Sequence, residues 1–284
     1  MSGFKLRRRW VAPIVLIIAL ALSLLGVPMF FENHFIYCPT RTLEDTPAAY
    51  GLAFEDVWAR AADGTRIHGW AMIPADRPVA WLLFSHGNAG NISGRPVVAR
   101  PLVQRGLAVL LYDYRGYGLS EGAPDEPGTY LDGEAMLAEV LRRAPHSSQV
   151  FLFGRSLGGA ISYELAVRHP NLGGVITDAT FTSMPELARR LFAIPGLGHL
   201  VRTRYDNLQK AGRTSLPRLV MHGTHDEMIP FEMAQALRDA THPPAAFFAV
   251  QGATHNDTFL VGGDEYANVI ERFVLGCLRS GDRR

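Results

Sequence analysis

The sequence predicts an α/β domain with a mostly parallel central sheet, and three observations support this fold class. From residue 79 onward, short apolar runs alternate with helical stretches, which is typical of a parallel sheet with helices on both faces. Before them, residues 52–61 and 67–73 flank Asp63-Gly64, a pair that favours an antiparallel hairpin. Residues 150–166 pass from an apolar run through a glycine-rich turn into a helical stretch.

The alternation predicts the order of the elements. Strands are predicted at 79–84, 107–112, 150–153, 174–178, 218–222 and 246–250, and helices near 94–105, 129–143, 159–166, from 184, 231–240 and 265–278. About forty residues lie between the strands at 174–178 and 218–222. We expect them to form a short cap of one helix and a cover, because a separate lid domain needs a longer insertion.

The first 31 residues predict a transmembrane anchor. Residues 10–31 contain no charged residue and are rich in Leu, Ile and Val, which is enough for a helix to cross a bilayer. Residues 1–9 are a basic tail, and no Lys or Arg follows the apolar stretch until Arg41. This asymmetry predicts a single-pass protein with a cytoplasmic N-terminus, a tether at 32–50 and an extracytoplasmic domain at 51–284.

A cleaved signal peptide is the alternative interpretation of the same stretch. Ala19-Leu20-Ala21 has the small side chains of a cleavage site, and cleavage there would leave a secreted or periplasmic protein. In an exported protein Cys38 and Cys277 could pair, and the sequence leaves that open.

The composition argues against two classes of protein. A formal net charge of +1 and the lack of a basic run outside the N-terminus do not support nucleic-acid binding. Gly116-Tyr117-Gly118 lacks the spacing of a dinucleotide fingerprint, because the next glycine is Gly122 and no helix start follows. We expect a surface loop there instead, at the carboxyl edge of the sheet.

His222 and His225 have no third ligand at a suitable spacing, so we expect neither a metal nor a cofactor.

The candidate nucleophile is Ser156. It stands at the apex of Gly154-Arg155-Ser156-Leu157-Gly158, between a predicted strand and a predicted helix. A G-x-S-x-G sequence in this context makes a turn so tight that its glycines are needed, and the turn exposes the serine hydroxyl. An ordinary glycine-rich connection remains the alternative for this stretch taken alone.

A serine needs a base and an acid to become a nucleophile at neutral pH. Asp226 follows the strand at 218–222, and His255 follows the strand at 246–250. The order Ser156, Asp226, His255 is the one found on α/β sheets that carry a nucleophile elbow. Asp178, at the end of an earlier strand, is an alternative acid.

Acyl transfer also needs donors for the charge that develops on the carbonyl oxygen. The backbone N–H of Leu157, directly after the candidate nucleophile, is one candidate. The loop after the strand at 79–84 supplies the second, and we assign it to Asn88, which directly follows His86-Gly87.

Several motifs together resemble a known family, the membrane-anchored α/β-hydrolase domain-containing proteins, a branch near the serine aminopeptidase-like and palmitoyl-thioesterase hydrolases. The motifs are Gly69-Trp70 and residues 86–91, 113–118, 154–160, 222–226 and 255–257. The resemblance implies an α/β-hydrolase fold, a triad of Ser156, Asp226 and His255, oxyanion donors at Asn88 and Leu157, and an N-terminal anchor. Residues 178–181 depart from the Ser-Pro-Phe run usual in relatives, and residues 253–254 replace a common glycine.

The sequence thus predicts a serine hydrolase that acts on ester, thioester or lipid-like acyl substrates. A serine peptidase is the alternative enzyme, and a non-catalytic scaffold that keeps the fold is the alternative from another class. The sequence does not indicate the oligomeric state.

Overall fold

An eight-stranded sheet forms the centre of the protein. A computed structural model describes residues 32–192, 197–240 and 243–281. The sheet strands are β2 (Phe54–Arg60), β3 (Arg66–Met72), β4 (Ala80–Ser85), β6 (Leu107–Tyr112), β7 (Val150–Arg155), β8 (Gly174–Asp178), β9 (Arg218–Gly223) and β10 (Ala246–Val250). Their order is β10-β9-β8-β7-β4-β6-β3-β2. The strands from β10 to β6 pair in parallel, and β3 pairs antiparallel with both β6 and β2.

Helices cover both faces of this sheet. They are α1 (Pro96–Val103), α2 (Glu126–Arg143), α3 (Leu157–Arg168), α4 (Met184–Phe192), α5 (Leu197–Leu200), α6 (Asn207–Arg213), α7 (Phe231–Arg238) and α8 (Thr258–Gly281), with short 3-10 turns at Pro47–Tyr50, Ile92–Gly94 and Ser147–Gln149. Every residue of β4, β6, β7 and β8 is buried. Their sequences are almost entirely apolar because neither face meets water, and the polar residues Ser85, Arg155, Thr177 and Asp178 stand at the carboxyl ends of the strands. Phe84 and Phe153 stack between β4 and β7 with ring centroids 4.5 Å apart.

The predicted fold class and the mostly parallel sheet are confirmed. The strands predicted at 107–112, 174–178 and 246–250 have these bounds in the structure. The last helix begins seven residues earlier than predicted, because the chain kinks at Gly263 (φ 49°) and two helical stretches join there. The cap between β8 and β9 contains α4, α5 and α6 rather than the single helix that the sequence predicted.

Residues 38–50, predicted as part of a tether, belong to the α/β unit. This unit begins at Cys38, and the segment up to Tyr37 forms a separate unit. β1 (Cys38–Pro39) pairs in parallel with β5 (Ala89–Gly90). The side-chain amide of Asn91 donates to the carbonyl oxygens of Thr40 and Thr42, at 3.2 and 2.6 Å. The chain is therefore attached to the loop after β4 from residue 38 onward.

The predicted transmembrane segment at 10–31 lies outside the described residues. Within the part of the chain that the structure describes, no helix has the length and apolar character needed to cross a membrane. Cys38 and Cys277 are both free thiols.

Candidate active site

The turn after β7 holds Ser156 in a strained conformation. Ser156 has φ 53° and ψ −117°, a region of backbone conformation that residues other than glycine rarely adopt. The turn is tight enough that a Cβ on Gly158 would overlap the carbonyl oxygen of Ser85 at the end of β4. Such strain persists only where the surroundings enforce it, and here it presents the Ser156 hydroxyl at the carboxyl edge of the sheet.

The structure brings Ser156, His255 and Asp226 into one hydrogen-bonded series. The Nε2 atom of His255 lies 3.2 Å from the Ser156 Oγ, and its Nδ1 atom lies 2.8 Å from the Asp226 Oδ2. The three residues follow β7, β10 and β9 at the carboxyl ends of these strands. A carboxylate only accepts hydrogen bonds, so Nδ1 carries the proton and Nε2 is free to accept the proton of the serine hydroxyl.

Hydrogen bonds hold Asp226 in its charged form. Its Oδ1 accepts the backbone N–H groups of Met228 and Ile229, at 2.9 and 2.7 Å. Burial acts to raise the pKa of Asp226, but the hydrogen bonds from His222 and His255 outweigh burial and hold that pKa well below its ordinary value. The side chain therefore stays a carboxylate at neutral pH and orients the imidazole of His255.

His222 is a second histidine on Asp226 that sequence reasoning did not assign. Its Nε2 lies 3.2 Å from the Asp226 Oδ2 and 2.9 Å from the carbonyl oxygen of Ile229, and its side chain is fully buried. Burial acts to lower the pKa of His222, yet the hydrogen bonds to Asp226 and Ile229 raise it overall. His225, considered together with His222 as a metal ligand, is exposed. Among the residues described, no cluster of three or more His, Cys, Asp or Glu residues has the arrangement of a metal site.

Asp178, the alternative acid, belongs to a different group of contacts. Its Oδ2 accepts from the hydroxyls of Thr258 and Tyr266, at 2.7 and 3.0 Å, and from the Arg155 Nε at 3.3 Å. The Nη2 of the same arginine donates to the carbonyl oxygen of His255 at 2.6 Å. Arg155, which directly precedes Ser156, therefore connects the Asp178 carboxylate to the backbone of His255. The G-x-S-x-G pattern does not indicate this role.

The loop after β4 lies beside Ser156. A Cβ placed on Gly87 would stand 3.5 Å from the Ser156 Cβ, so the backbone of Gly87 passes close to the Ser156 side chain. His86 Nδ1 donates to the carbonyl oxygen of Gly87 at 2.6 Å. In a trans peptide the carbonyl and the following N–H point in opposite directions, so this bond also sets the direction of the Asn88 N–H. Leu157, the other predicted donor, is the first residue of α3, where backbone N–H groups have no partner within the helix.

Two buried tyrosines fix the carbonyl groups on either side of Gly87. Tyr114 donates to the carbonyl oxygen of His86 at 2.6 Å, and Tyr117 donates to that of Asn88 at 2.7 Å. Both tyrosines belong to the segment predicted as a surface loop, yet both side chains are fully buried. The spacing of aromatic residues and glycines in 113–118 was the only signal for this role.

A cavity lies next to the Asp226 loop, between the cap and the body. Its volume is about 680 Å³, and its walls include Glu186 and Arg190 of α4, Arg204 of the cap, Pro230 just before α7 and Glu232 in the first turn of α7. The described lining residues carry groups of both charges and do not include Ser156, Asp226 or His255.

The sheet, the strained turn after β7 and the loops that follow β9 and β10 together define an α/β-hydrolase fold. The solved esterase Pf2001 of Pyrococcus furiosus has the same fold, with a TM-score of 0.70 at 19% identity over 84% of this chain and 98% of that one. The profile of the family described as "Serine aminopeptidase, S33" matches residues 76–202.

Sequence comparison places the chain more narrowly. It is 32% identical over 262 residues to the "Alpha/beta hydrolase domain-containing protein WAV2" of Arabidopsis thaliana, covering 83% of this chain and 85% of WAV2. It is also 32% identical over 261 residues to YfhR of Escherichia coli (strain K12), covering 89% and 90% of the two chains. The protein belongs to the alpha/beta hydrolase domain family.

Proposed function

We propose that the protein is a serine hydrolase that cleaves carboxylic esters or thioesters through an acyl-enzyme intermediate. The observation that carries the proposal is the series from the Asp226 carboxylate to His255 at 2.8 Å and from His255 to the Ser156 hydroxyl at 3.2 Å. A serine hydroxyl in reach of an oriented neutral imidazole is the arrangement that acyl transfer requires.

In the first half of the reaction the Ser156 Oγ attacks the carbonyl carbon of the substrate while its proton passes to the Nε2 of His255. The carbonyl oxygen becomes an oxyanion, which the backbone N–H groups of Leu157 and Asn88 stabilise. The bond to the leaving oxygen or sulfur then breaks, and that atom takes the proton from His255. An alcohol or thiol leaves, and the acyl group remains on Ser156.

In the second half a water molecule attacks the acyl carbon and gives one proton to His255. The bond to the Ser156 Oγ breaks, the serine recovers that proton, and a carboxylic acid leaves. Asp226 stays ionised throughout and stabilises the imidazolium that forms twice in the cycle. These steps need no cofactor.

A serine peptidase of the aminopeptidase kind is the second candidate. It is favoured by the match to the serine aminopeptidase family over residues 76–202. Hydrolysis of aminoacyl amides together with inactivity on esters would favour this candidate.

Labelling with a fluorophosphonate tests the proposed chemistry. We expect a covalent adduct on Ser156 in the wild-type chain and none in Ser156→Ala. His255→Ala should label at least about a hundredfold more slowly because the base is lost. An unlabelled wild-type protein would contradict the proposal and favour a non-catalytic scaffold. A chain-length series of esters, thioesters and aminoacyl amides then identifies the substrate class.

For the N-terminus, we propose that residues 10–31 anchor the protein in a membrane, with the hydrolase domain on the extracytoplasmic side. The uncharged stretch and the basic residues before it support this proposal. The alternative is release after signal-peptide cleavage. Retention in the membrane pellet after alkaline extraction, with an intact N-terminus, is the expected result, and a mature protein beginning near Leu22 would contradict it.

A further inference from the structure

Exposed apolar side chains collect at the edge of the sheet that carries Ser156. They lie on the segments after β8, β9 and β10, and together we call them the apolar rim: Leu191, Phe192, Leu200, Met228, Leu260 and Val261. Leu200 is 75% exposed, Leu260 64% and Phe192 57%. Large apolar side chains left in water beside a site are typical of a surface that meets a membrane or another molecule.

The apolar rim shares its loops with the candidate catalytic residues. Met228 donates its backbone N–H to the Asp226 carboxylate. Leu260 and Val261 both donate to the carbonyl oxygen of Asp257, two residues after His255. Leu191 and Phe192 end α4, whose Glu186 and Arg190 line the cavity together with Pro230 of the Asp226 loop. Half of the rim therefore lies within six residues of Asp226 or His255, and the other half belongs to the cap next to the Asp226 loop.

Positive charge accompanies the cap side of the rim. Residues 184–213 contain six basic and two acidic residues, whereas the whole chain has a net charge of only +1. Arg189 and Arg190 directly precede Leu191 and Phe192, and their side chains are 64% and 52% exposed. Glu186 pairs with both arginines, which leaves an excess of one positive charge on α4. Apolar side chains flanked by exposed arginines are complementary to a lipid surface with anionic headgroups.

The chain enters the hydrolase unit at the same edge. The Cys38 N–H donates to the carbonyl oxygen of Asn88 at 3.0 Å, and the Gly118 N–H donates to that of Thr40 at 2.9 Å. The loop that contains Asn88 follows the carboxyl end of β4, and the loop that contains Gly118 follows the carboxyl end of β6. Phe31, the end of the uncharged stretch, and Cys38 are only seven positions apart in the sequence. A fully extended chain of this length spans at most about 25 Å.

We propose that the apolar rim docks on a lipid bilayer that contains anionic headgroups, so that the entrance to the site faces the membrane and takes its acyl substrate from it. The catalytic half of this inference rests on the proposed function, whereas the docking half does not. A bilayer fits better than a protein partner because the point where the chain enters the hydrolase unit at Cys38, the rim and the exposed arginines all belong to the same edge.

The depth of the rim in a bilayer tests the docking directly. The full chain, with Cys38 and Cys277 replaced by serine, receives an environment-sensitive fluorophore at Leu260→Cys or, as the matched control, at Val79→Cys. Val79 is 39% exposed and precedes β4, at the opposite edge of the sheet. The vesicles consist of phosphatidylcholine with a minority of phosphatidylglycerol and carry a nitroxide quencher in the acyl region, with fewer than one chain per vesicle.

We expect quenching of the label at position 260 and none at position 79. Equal accessibility of both labels to an aqueous quencher would overturn the inference, as would a failure of the chain to float with the vesicles. Shielding that appears only when several chains share a vesicle would assign the rim to a second copy and would also overturn it. Fluorophosphonate labelling of Ser156 in the same samples reports on the proposed function separately from docking.

The activity of rim variants provides the second test. The variant Leu191→Asn/Phe192→Asn/Leu260→Asn should hydrolyse a long-chain ester dissolved in vesicles at least about tenfold more slowly, because the side chains no longer leave water. Its rate on a soluble short-chain ester should not change. The control Ile73→Asn/Val79→Asn should change neither rate, since both residues lie at the opposite edge. Equal losses on both esters, or none on the embedded one, would contradict the inference.

Vesicles of different lipid composition test whether the exposed arginines bind anionic headgroups. Each of Arg189→Ser and Arg190→Ser should reduce the rate on phosphatidylglycerol-containing vesicles about fivefold. On vesicles of phosphatidylcholine alone we expect no loss. Equal losses on the two kinds of vesicle would overturn the assignment of an anionic lipid.

Discussion

Replacement of Arg155 should slow the reaction because it removes a hydrogen bond that positions His255. Arg155 itself does not contact the Ser156 hydroxyl. The guanidinium bonds to the Asp178 carboxylate at 3.3 Å and to the carbonyl oxygen of His255 at 2.6 Å. Both charged side chains are buried, at 6% and 0% exposure. Arg155→Met keeps the length of the side chain and removes both bonds, so it tests whether this link positions the base.

The structure sets the magnitude of two separate effects. Removing one partner of a buried ion pair costs about 3 to 5 kcal/mol, because the other charge stays buried. Here we expect about 3 kcal/mol, since Asp178 keeps the hydroxyl donors of Thr258 and Tyr266. Separately, a displacement of the imidazole by about 1 Å lowers kcat about a hundredfold. KM should change little, because Arg155 is buried behind the site.

A double variant separates the two effects. Arg155→Met/Asp178→Asn removes the unpaired charge, so we expect it to recover most of the lost stability in denaturant unfolding followed by the fluorescence of the buried Trp70 and Trp81. Its kcat on a soluble ester should stay low, because the carbonyl of His255 still lacks its donor. Arg155→Lys, which supplies a single point charge, should fall between wild type and Arg155→Met in kcat. Wild-type kcat in the double variant would refute the positioning role.

Three further predictions concern the same site. Because the folded-state pKa of Asp226 is lowered, its contribution to the free energy of unfolding is present above the ordinary aspartate value of about 3.9 and is lost as the pH falls from about 5 toward 1. Urea unfolding at a series of pH values should therefore show a flatter acid limb for Asp226→Asn than for wild type, and an unchanged limb for the exposed control Asp76→Asn. Gly158→Ala should lower kcat about a hundredfold or more, because the new Cβ overlaps a carbonyl oxygen at the end of β4. The control Gly276→Ala, a helical position with open space, should raise the free energy of unfolding by about 0.5 to 1 kcal/mol. Tyr117→Phe should lower kcat about tenfold on a soluble ester with little change in KM, because one carbonyl beside the oxyanion donors loses its hydroxyl partner. An unchanged kcat would show that the loop keeps its geometry without that bond.

The strands of the sheet could be predicted because the apolar pattern that specifies each strand lies within a few consecutive residues. Buried parallel strands need continuous apolar runs, and runs such as 107–112 and 174–178 have the same bounds in the structure. The cap was predicted less well. Short helices such as α5 and α6 carry too few residues for a clear period, and contacts outside them decide where they begin and end. One such contact is the Glu126 carboxylate, which accepts the N–H groups of Arg204 and Tyr205 just before α6.

The residues that meet at the site were visible in the sequence because each follows a strand end. The contacts that hold them there were not. His222 drew attention in the sequence only together with His225, as a metal ligand without a third partner, and only the fold turns its imidazole onto the Asp226 carboxylate. Tyr114 and Tyr117 lie in a stretch that reads as a surface loop, and their burial depends on the loop after β4 folding over them.

The amino-acid order by itself determined the strand sequence, the turn at Ser156 and the candidate roles of Asp226 and His255, because glycine spacing and apolar runs act over a few neighbouring residues. Only the tertiary structure decided that Arg155 bonds to the backbone of His255, one hundred positions away, and that apolar side chains on the segments after β8, β9 and β10 stay exposed. Contacts between distant segments depend on how the sheet brings strand ends together, and no local pattern records them.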